Sequence, residues 1–169
     1  PLLNYKNVLK SVELLTSHQG LGLAPRRITV STAGIAKMIK KLGDDEVKFH
    51  LALSLHAAND GKRNKIMPIN EQNSLDSLID ALNYFYDKTG ERVTLEYIVF
   101  KDFNDSLKDA AELADFCYKV KSKVNIIEYN PIEAGEFEQT TPERLEAFAG
   151  YLQSRKVIVN IRRSRGKDI

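Results

Sequence analysis

Between residues 48 and 56 apolar and polar side chains alternate, with Phe49, Leu51, Leu53 and Leu55 on one side and His50, Ala52, Ser54 and His56 on the other. A period of two puts successive side chains on opposite faces of an extended strand, so this segment has one face for a core and one that is small and polar. The pattern returns at residues 92–100, where Val93, Leu95, Tyr97 and Val99 oppose Arg92, Thr94, Glu96 and Ile98. Shorter runs at 27–32, 123–130 and 156–163, rich in β-branched residues, predict three further strands.

Helix-period segments lie between them. Residues 4–17 repeat Val8, Leu9, Val12, Leu14 and Leu15 near every 3.6 positions, with Asn4 placed as N-cap. Residues 33–42 predict a second helix with Gly43 as its C-cap. Residues 74–88 carry Leu75, Leu78, Ile79, Leu82 and Phe85 on one face behind Ser74, and residues 106–120 form the next helix. Thr141-Pro142-Glu143 opens the last one with a cap, a first-turn proline and a first-turn acid. Residues 57–73 read as a polar connection broken by Pro68, and 132–140 as loop.

A helix, then β-α four times, then a last strand is an α/β order with a mainly parallel sheet. A doubly wound sheet is covered on both sides and wants strands apolar on both faces. Here Thr29 and Ser31, Ser54 and His56, Thr94 and Glu96, and Glu128 and Asn130 supply polar groups. That predicts a (β/α) barrel whose polar lumen opens onto chemistry at the C-terminal strand ends; about five strands cannot close one, so either it is a partial (β/α) barrel or the chain is incomplete.

Composition narrows the chemistry. The 169 residues suit one domain, and 25 Lys plus Arg against 23 Asp plus Glu leave a net charge of +2, so a polyanion would need a local basic patch. Arg26-Arg27 and the run Arg162, Arg163, Arg165, Lys167 are the candidates, the second able to grip phosphates. No apolar stretch is long enough to span a bilayer and no secretory leader stands at the start, which predicts a cytoplasmic protein with no membrane partner. The lone cysteine, Cys117, excludes within these residues a disulfide framework and any metal cluster needing three thiolates. Flanked by Phe116 and Tyr118, it reads as a core residue.

Gly20-Leu21-Gly22 follows a helix rather than a strand and has no third glycine, so it is not a dinucleotide fingerprint. His18, His50 and His56 are not at metal-ligand spacing. Ser54-Leu55-His56 is the best local candidate, because positions i and i+2 at a strand end share one side. Two readings stay open there: a ligand-binding pair, or a structural histidine and a serine filling a polar layer. Ser31 and Asn130 are expected to end neighbouring strands in the same phase, so that the three strands together surround the polar end of a small ligand.

Taken together, Pro1-Leu2-Leu3-Asn4, Arg26-Arg27-Ile28-Thr29-Val30-Ser31-Thr32-Ala33-Gly34, Leu53-Ser54-Leu55-His56-Ala57 with Asn59-Asp60 and Arg63, Met67-Pro68-Ile69-Asn70, Tyr129-Asn130-Pro131 and Arg163-Ser164-Arg165-Gly166 resemble the RlmN family of radical S-adenosylmethionine RNA methyltransferases. The resemblance runs in order along essentially the whole chain. It implies a partial (β/α)6 barrel holding S-adenosylmethionine and a [4Fe-4S] cluster. It further implies methylation of carbon 2 of an adenosine in 23S rRNA, and of an adenosine beside the tRNA anticodon.

Ser31, Ser54, Leu55, His56 and Asn130 fall on the family's S-adenosylmethionine positions, and Pro1 matches the end of its Gly-Glu-Pro motif. Arg162, Arg163 and Arg165 are candidate RNA contacts. The family's C-x3-C-x2-C cluster loop and its methyl-carrying cysteine match nothing here. Residues 1–169 are therefore expected to be a fragment of the radical S-adenosylmethionine core, without the cluster, the upstream RNA-binding region or the methyl-carrying segment. Such a fragment should be inactive alone, bind S-adenosylmethionine weakly, and expose a sheet edge prone to self-association. The alternatives are a Cfr-type enzyme acting at carbon 8 and a non-enzymatic nucleotide- or RNA-binding module.

Overall fold

The computed structural model describes residues 1–131 and 135–163; the tail with Arg165, and residues 132–134 of the expected loop, lie outside them. A single 3-10 turn, Leu2–Asn4, leads into α1 (Tyr5–Thr16), and a second, Pro25–Arg27, into β1 (Thr29–Thr32). Then follow α2 (Ala36–Asp44), β2 (His50–Ser54), α3 (Asp60–Ile66), a 3-10 turn at Pro68–Glu71, α4 (Leu75–Thr89) and β3 (Val93–Val99). The chain continues through α5 (Leu107–Lys119), β4 (Ser122–Glu128), α6 (Pro142–Ser154) and β5 (Val159–Arg162).

All neighbouring strands pair in parallel, and the sheet order follows chain order, β1-β2-β3-β4-β5. Right-handed crossovers that always step the same way leave their helices on one face, so the order never reverses as a doubly wound sheet requires. Burial agrees. Leu51 and Leu53 of β2, Leu95, Tyr97 and Val99 of β3, and Val124 and Ile126 of β4 are sealed under the helices. Each fully buried aliphatic side chain there contributes on the order of 1.5–3 kcal/mol. The opposite face holds Ser31, Ser54, Glu96, Asn125 and Asn160, half-buried or exposed.

Local chemistry sets the ends of these elements. Ser74 Oγ accepts from the Ser77 N–H to cap α4, and Gly90, at φ 70°, ends it in the left-handed conformation. Ser106 and Asp109 close a reciprocal capping box on α5, and Thr141 caps α6 ahead of Pro142. Asn4 precedes α1 as expected but does not cap it with its side chain: its Oδ1 is taken by Asn7 Nδ2 at 2.7 Å.

Three expectations are corrected. Gly43 lies inside α2 and the cap is Asp45; the glycine is used for close packing, since a Cβ there would come within 3.3 Å of Phe85 Cα. Residues 57–73 contain a helix, α3, because Asn59 accepts from the Lys62 N–H and Pro68 then starts a 3-10 turn. Glu128 shares the strand parity of Val124 and Ile126, so the polar members of β4 on the open face are Lys123 and Asn125.

Candidate functional site at the strand ends

Parallel register aligns side chains from different strands into rows across the open face. Ser54 is paired with Glu96, Glu96 with Asn125, and Asn125 with Asn160, which makes one polar row over four strands. Its hydrogen bonds run one way: Asn160 Nδ2 donates to Asn125 Oδ1 at 3.4 Å, and Asn125 Nδ2 to Glu96 Oε1 at 3.0 Å. Glu96 Oε2 is buried and accepts no hydrogen bond, with Arg162 Nη1 standing 3.9 Å away. A buried carboxylate oxygen left this way costs on the order of 1–3 kcal/mol or more, so the row ends on a group that favours an incoming donor.

Beyond this row β2 gives way to Leu55 and His56. The N–H groups of both point to the carbonyl of Glu96, at 3.0 and 3.2 Å. His56 takes φ 56° and its Nδ1 accepts from the Ile98 N–H at 3.1 Å, so the imidazole continues the β2–β3 ladder where the backbone leaves it. An Nδ1 that accepts makes Nε2 the protonated nitrogen. Burial, reinforced by the Arg63 charge, pulls the His56 pKa down to about 4, and the ring is neutral at physiological pH.

Two fully buried polar residues hold this corner. Arg63, from α3, donates Nε to Leu55 O at 3.1 Å, Nη2 to Ala33 O at 2.7 Å and to Ser54 O at 3.1 Å, and Nη1 to Asn70 Oδ1 at 2.7 Å. It therefore joins the carbonyl ends of β1 and β2. Asn70 in turn donates to Asp60 and Asn64. Asn104 donates Nδ2 to the carbonyls of His56 and Ile98, at 2.7 and 2.8 Å, and accepts from the Phe100 N–H at 2.7 Å.

Gly34, at φ 101°, is the close-approach point that admits Arg63: a Cβ there would stand 3.1 Å from both Arg63 Nη2 and Leu53 Cδ1. Gly34→Ala is expected to lose about 1–3 kcal/mol of stability, from the left-handed strain and the displaced guanidinium, in a urea titration followed by circular dichroism. A variant as stable as the parent would remove Gly34 from this role.

Of the sequence-derived residues, Ser31 is exposed on the open face of β1 and Ser54 is half-buried beside Glu96. Leu55 is sealed, and it contributes backbone. Asn130 lies two residues past β4, which β2 and β3 separate from the β1 of Ser31, so the two do not end neighbouring strands as expected; beside it the Tyr129 ring packs edge-on to Phe100 at 4.9 Å. Arg162 ends β5 beside Glu96, and Arg163 pairs with Glu146 on α6. Arg165 lies outside the described residues.

Sequence reading placed Glu96 on the polar face without singling it out, and it gave Arg63, Asn70 and Asn104 no structural role. Charged and amide residues in a connection look solvated until the fold brings carbonyls to them. Cys117 is elsewhere, on α5 near the N-terminal end of β4, where burial pushes its thiol up to about 11. Among the described residues no group of three or more His, Cys, Asp or Glu could hold a metal ion, and no helix is long and apolar enough to cross a membrane.

No family model matches the chain. A crystal structure of a radical SAM methyltransferase from Sphaerobacter thermophilus superposes with a TM-score of 0.95 at 37% identity, covering 100% of this chain and 50% of that one. Streptococcus suis SuiB, solved bound to S-adenosylmethionine, shares the fold at a TM-score of 0.57 and 18% identity, over 80% of this chain and 32% of its own. The parallel half-barrel with a polar open face is thus a core of the radical S-adenosylmethionine class. Over 169 residues the chain is 59% identical to the "Probable dual-specificity RNA methyltransferase RlmN" of Cytophaga hutchinsonii, covering 100% of this chain and 46% of the relative. It belongs to the RlmN family, and it spans about half the length of the curated relatives it matches.

Proposed function

We propose that these residues form the S-adenosylmethionine-binding part of a radical S-adenosylmethionine RNA methyltransferase, acting on carbon 2 of adenosine in 23S rRNA and in tRNA. The observation that carries this is the buried Glu96 oxygen without a hydrogen-bond donor, at the end of a one-way polar row inside a half-barrel. Ribose hydroxyls and an amino group are donors of the kind such an oxygen lacks, and Ser31 and Ser54 add hydroxyls that donate or accept. Ser31, Ser54, Leu55, His56 and Asn130 would hold the cofactor, which when bound supplies the transferred methyl group.

This chain's own residues bind and orient. Arg63 and Asn104 immobilise the backbone of residues 54–56, and neutral His56 keeps Nε2–H as a donor. With one cysteine, these residues do not fit a [4Fe-4S] cluster, and we assign the cluster and the methyl-carrying cysteine to other parts of the protein. Arg162 and Arg163 are candidate contacts to RNA phosphates, each of which would have to draw its arginine from a carboxylate, Glu96 or Glu146.

In the full-length protein that contains this segment, nuclease digestion and mass spectrometry of 23S rRNA from an enzyme-deficient host should show 2-methyladenosine. An 8-methyl product, or none, would overturn the reading. Glu96→Leu is expected to raise the S-adenosylmethionine concentration for half-maximal methylation about tenfold or more, the equivalent of one lost charged hydrogen bond. An unchanged value would remove Glu96 from the cofactor site.

A further inference from the structure

At the other end of the sheet, where α5 runs into β4 and α6 into β5, the surface holds a cleft of about 260 Å³. Arg92, Lys119, Lys121 and Lys156 line it, and no carboxylate does. All four are exposed, and none forms an ion pair among the described residues. Lys119 can be ascribed to the C-terminus of α5, whose dipole favours a cation. Arg92, Lys121 and Lys156 lie outside any helix and have no such role.

The cleft is built from fixed backbone. Asn83 Nδ2 donates to Lys119 O at 3.0 Å and ties α4 to one wall. Lys156, at φ 59°, turns the chain from α6 towards β5 and donates its N–H to Gln153 O at 2.8 Å. Ser122 also lines the cleft, with its Oγ buried beneath the surface next to the Cys117 thiol. Four cations without ion pairs on one concave surface are the donor set of a phosphate site.

We propose that this cleft is a phosphate-binding subsite for the RNA backbone, remote from the reaction centre. Seven-residue β3 and β4 separate it from the C-terminal strand ends by roughly 20 Å at a rise of about 3.3 Å per residue. An RNA held at both ends must therefore run along the side of the barrel. The choice of RNA as the polyanion rests on the methyltransferase reading; the affinity of the cleft for phosphate does not.

The test is fluorescence anisotropy of a short labelled RNA hairpin with this chain over a salt series. Lys121→Gln with Lys156→Asn, the latter chosen because asparagine tolerates a left-handed backbone, should weaken binding about tenfold and flatten the slope of log K against log salt by about 1.5. Lys10→Gln with Lys37→Gln removes the same charge from exposed positions on α1 and α2 and should change neither. Equal losses in both pairs, or none in the first, overturn the proposal. Pyrophosphate bound in the cleft with no RNA bound overturns the RNA assignment. Full-length protein that binds RNA through the cleft without methylating it would sink the functional reading alone; methylation unaffected by the cleft variants would sink this proposal alone.

Discussion

Arg63→Met is expected to lower the unfolding free energy by about 3–5 kcal/mol, the largest effect of any single substitution considered for this chain. Methionine approximates the length and bulk of the side chain but donates nothing. Four acceptors lose their donor at once: the carbonyls of Ala33, Ser54 and Leu55, and Asn70 Oδ1. Each buried acceptor left unpaired costs about 1–3 kcal/mol, and relief of the guanidinium's own desolvation offsets part of the sum. That desolvation is real: burial lowers the Arg63 pKa to about 10, with Asp60 acting in the opposite direction, and the charge persists at neutral pH. Urea titration followed by circular dichroism measures the loss. Arg63→Lys, which keeps the charge on a single nitrogen, should recover only part of it. A methionine variant within about 1 kcal/mol of the parent would show that water or a shift of α3 can satisfy these carbonyls, and that the joint between β1 and β2 does not depend on Arg63.

Acidification should destabilise the fold between about pH 6.5 and pH 4, and His56 should be the main reason. In the unfolded chain an ordinary histidine takes up a proton near pH 6.5. In the folded chain burial, with help from Arg63, holds His56 neutral down to about pH 4. Across that window the unfolded state binds the extra proton, so stability is fully present above pH 6.5 and falls as the pH approaches 4. The integrated loss is up to about 3 kcal/mol. Below pH 4 the ring is protonated in the fold as well, and its Nδ1 can no longer accept from the Ile98 N–H. His56→Asn, suited to the left-handed backbone at this position, should cost stability at neutral pH and abolish this component of the pH slope. The difference between the two proteins in denaturation midpoints over a pH series isolates the effect from carboxylate titrations. A His56 ring-proton resonance titrating near pH 6.5 would refute the assignment.

Both predictions concern the same corner, where the residues proposed to bind the cofactor are held by side-chain hydrogen bonds. The polar ends of β1 and β2 are tied by Arg63, and those of β2 and β3 by His56 and Asn104. Ser54, Leu55 and His56 sit on backbone fixed from both sides. Preorganisation of this kind lowers the entropy lost when a ligand is ordered against the strand ends.

Much of this was legible in the residues alone. Alternation at 48–56 and 92–100 identified two strands and both of their faces, because a period of two is a local property of extended backbone. Ser74, Ser106 and Thr141 marked helix starts, because capping uses atoms within four residues of one another. One polar face on several strands separated a half-barrel from a doubly wound sheet. Similar strings in order identified the family, and the comparisons agree with it.

What required the tertiary structure is equally specific. That Asn125 lies beside Glu96 and Asn160 is decided by the parallel register of β4 against β3 and β5, which no count along β4 alone contains. Arg63 in a polar stretch looks like a surface cation; it is buried because carbonyls from Ala33, Ser54 and Leu55, in different segments, converge where α3 packs. The buried Glu96 oxygen that accepts no hydrogen bond, and the gathering of Arg92, Lys119, Lys121 and Lys156 at the opposite end, also exist only once the strands are side by side. Sequence by itself determined which groups each element carries and which way it faces, since those follow from local periodicity. Only the folded chain decided which groups meet, since meeting depends on register and on packing between residues far apart along the chain.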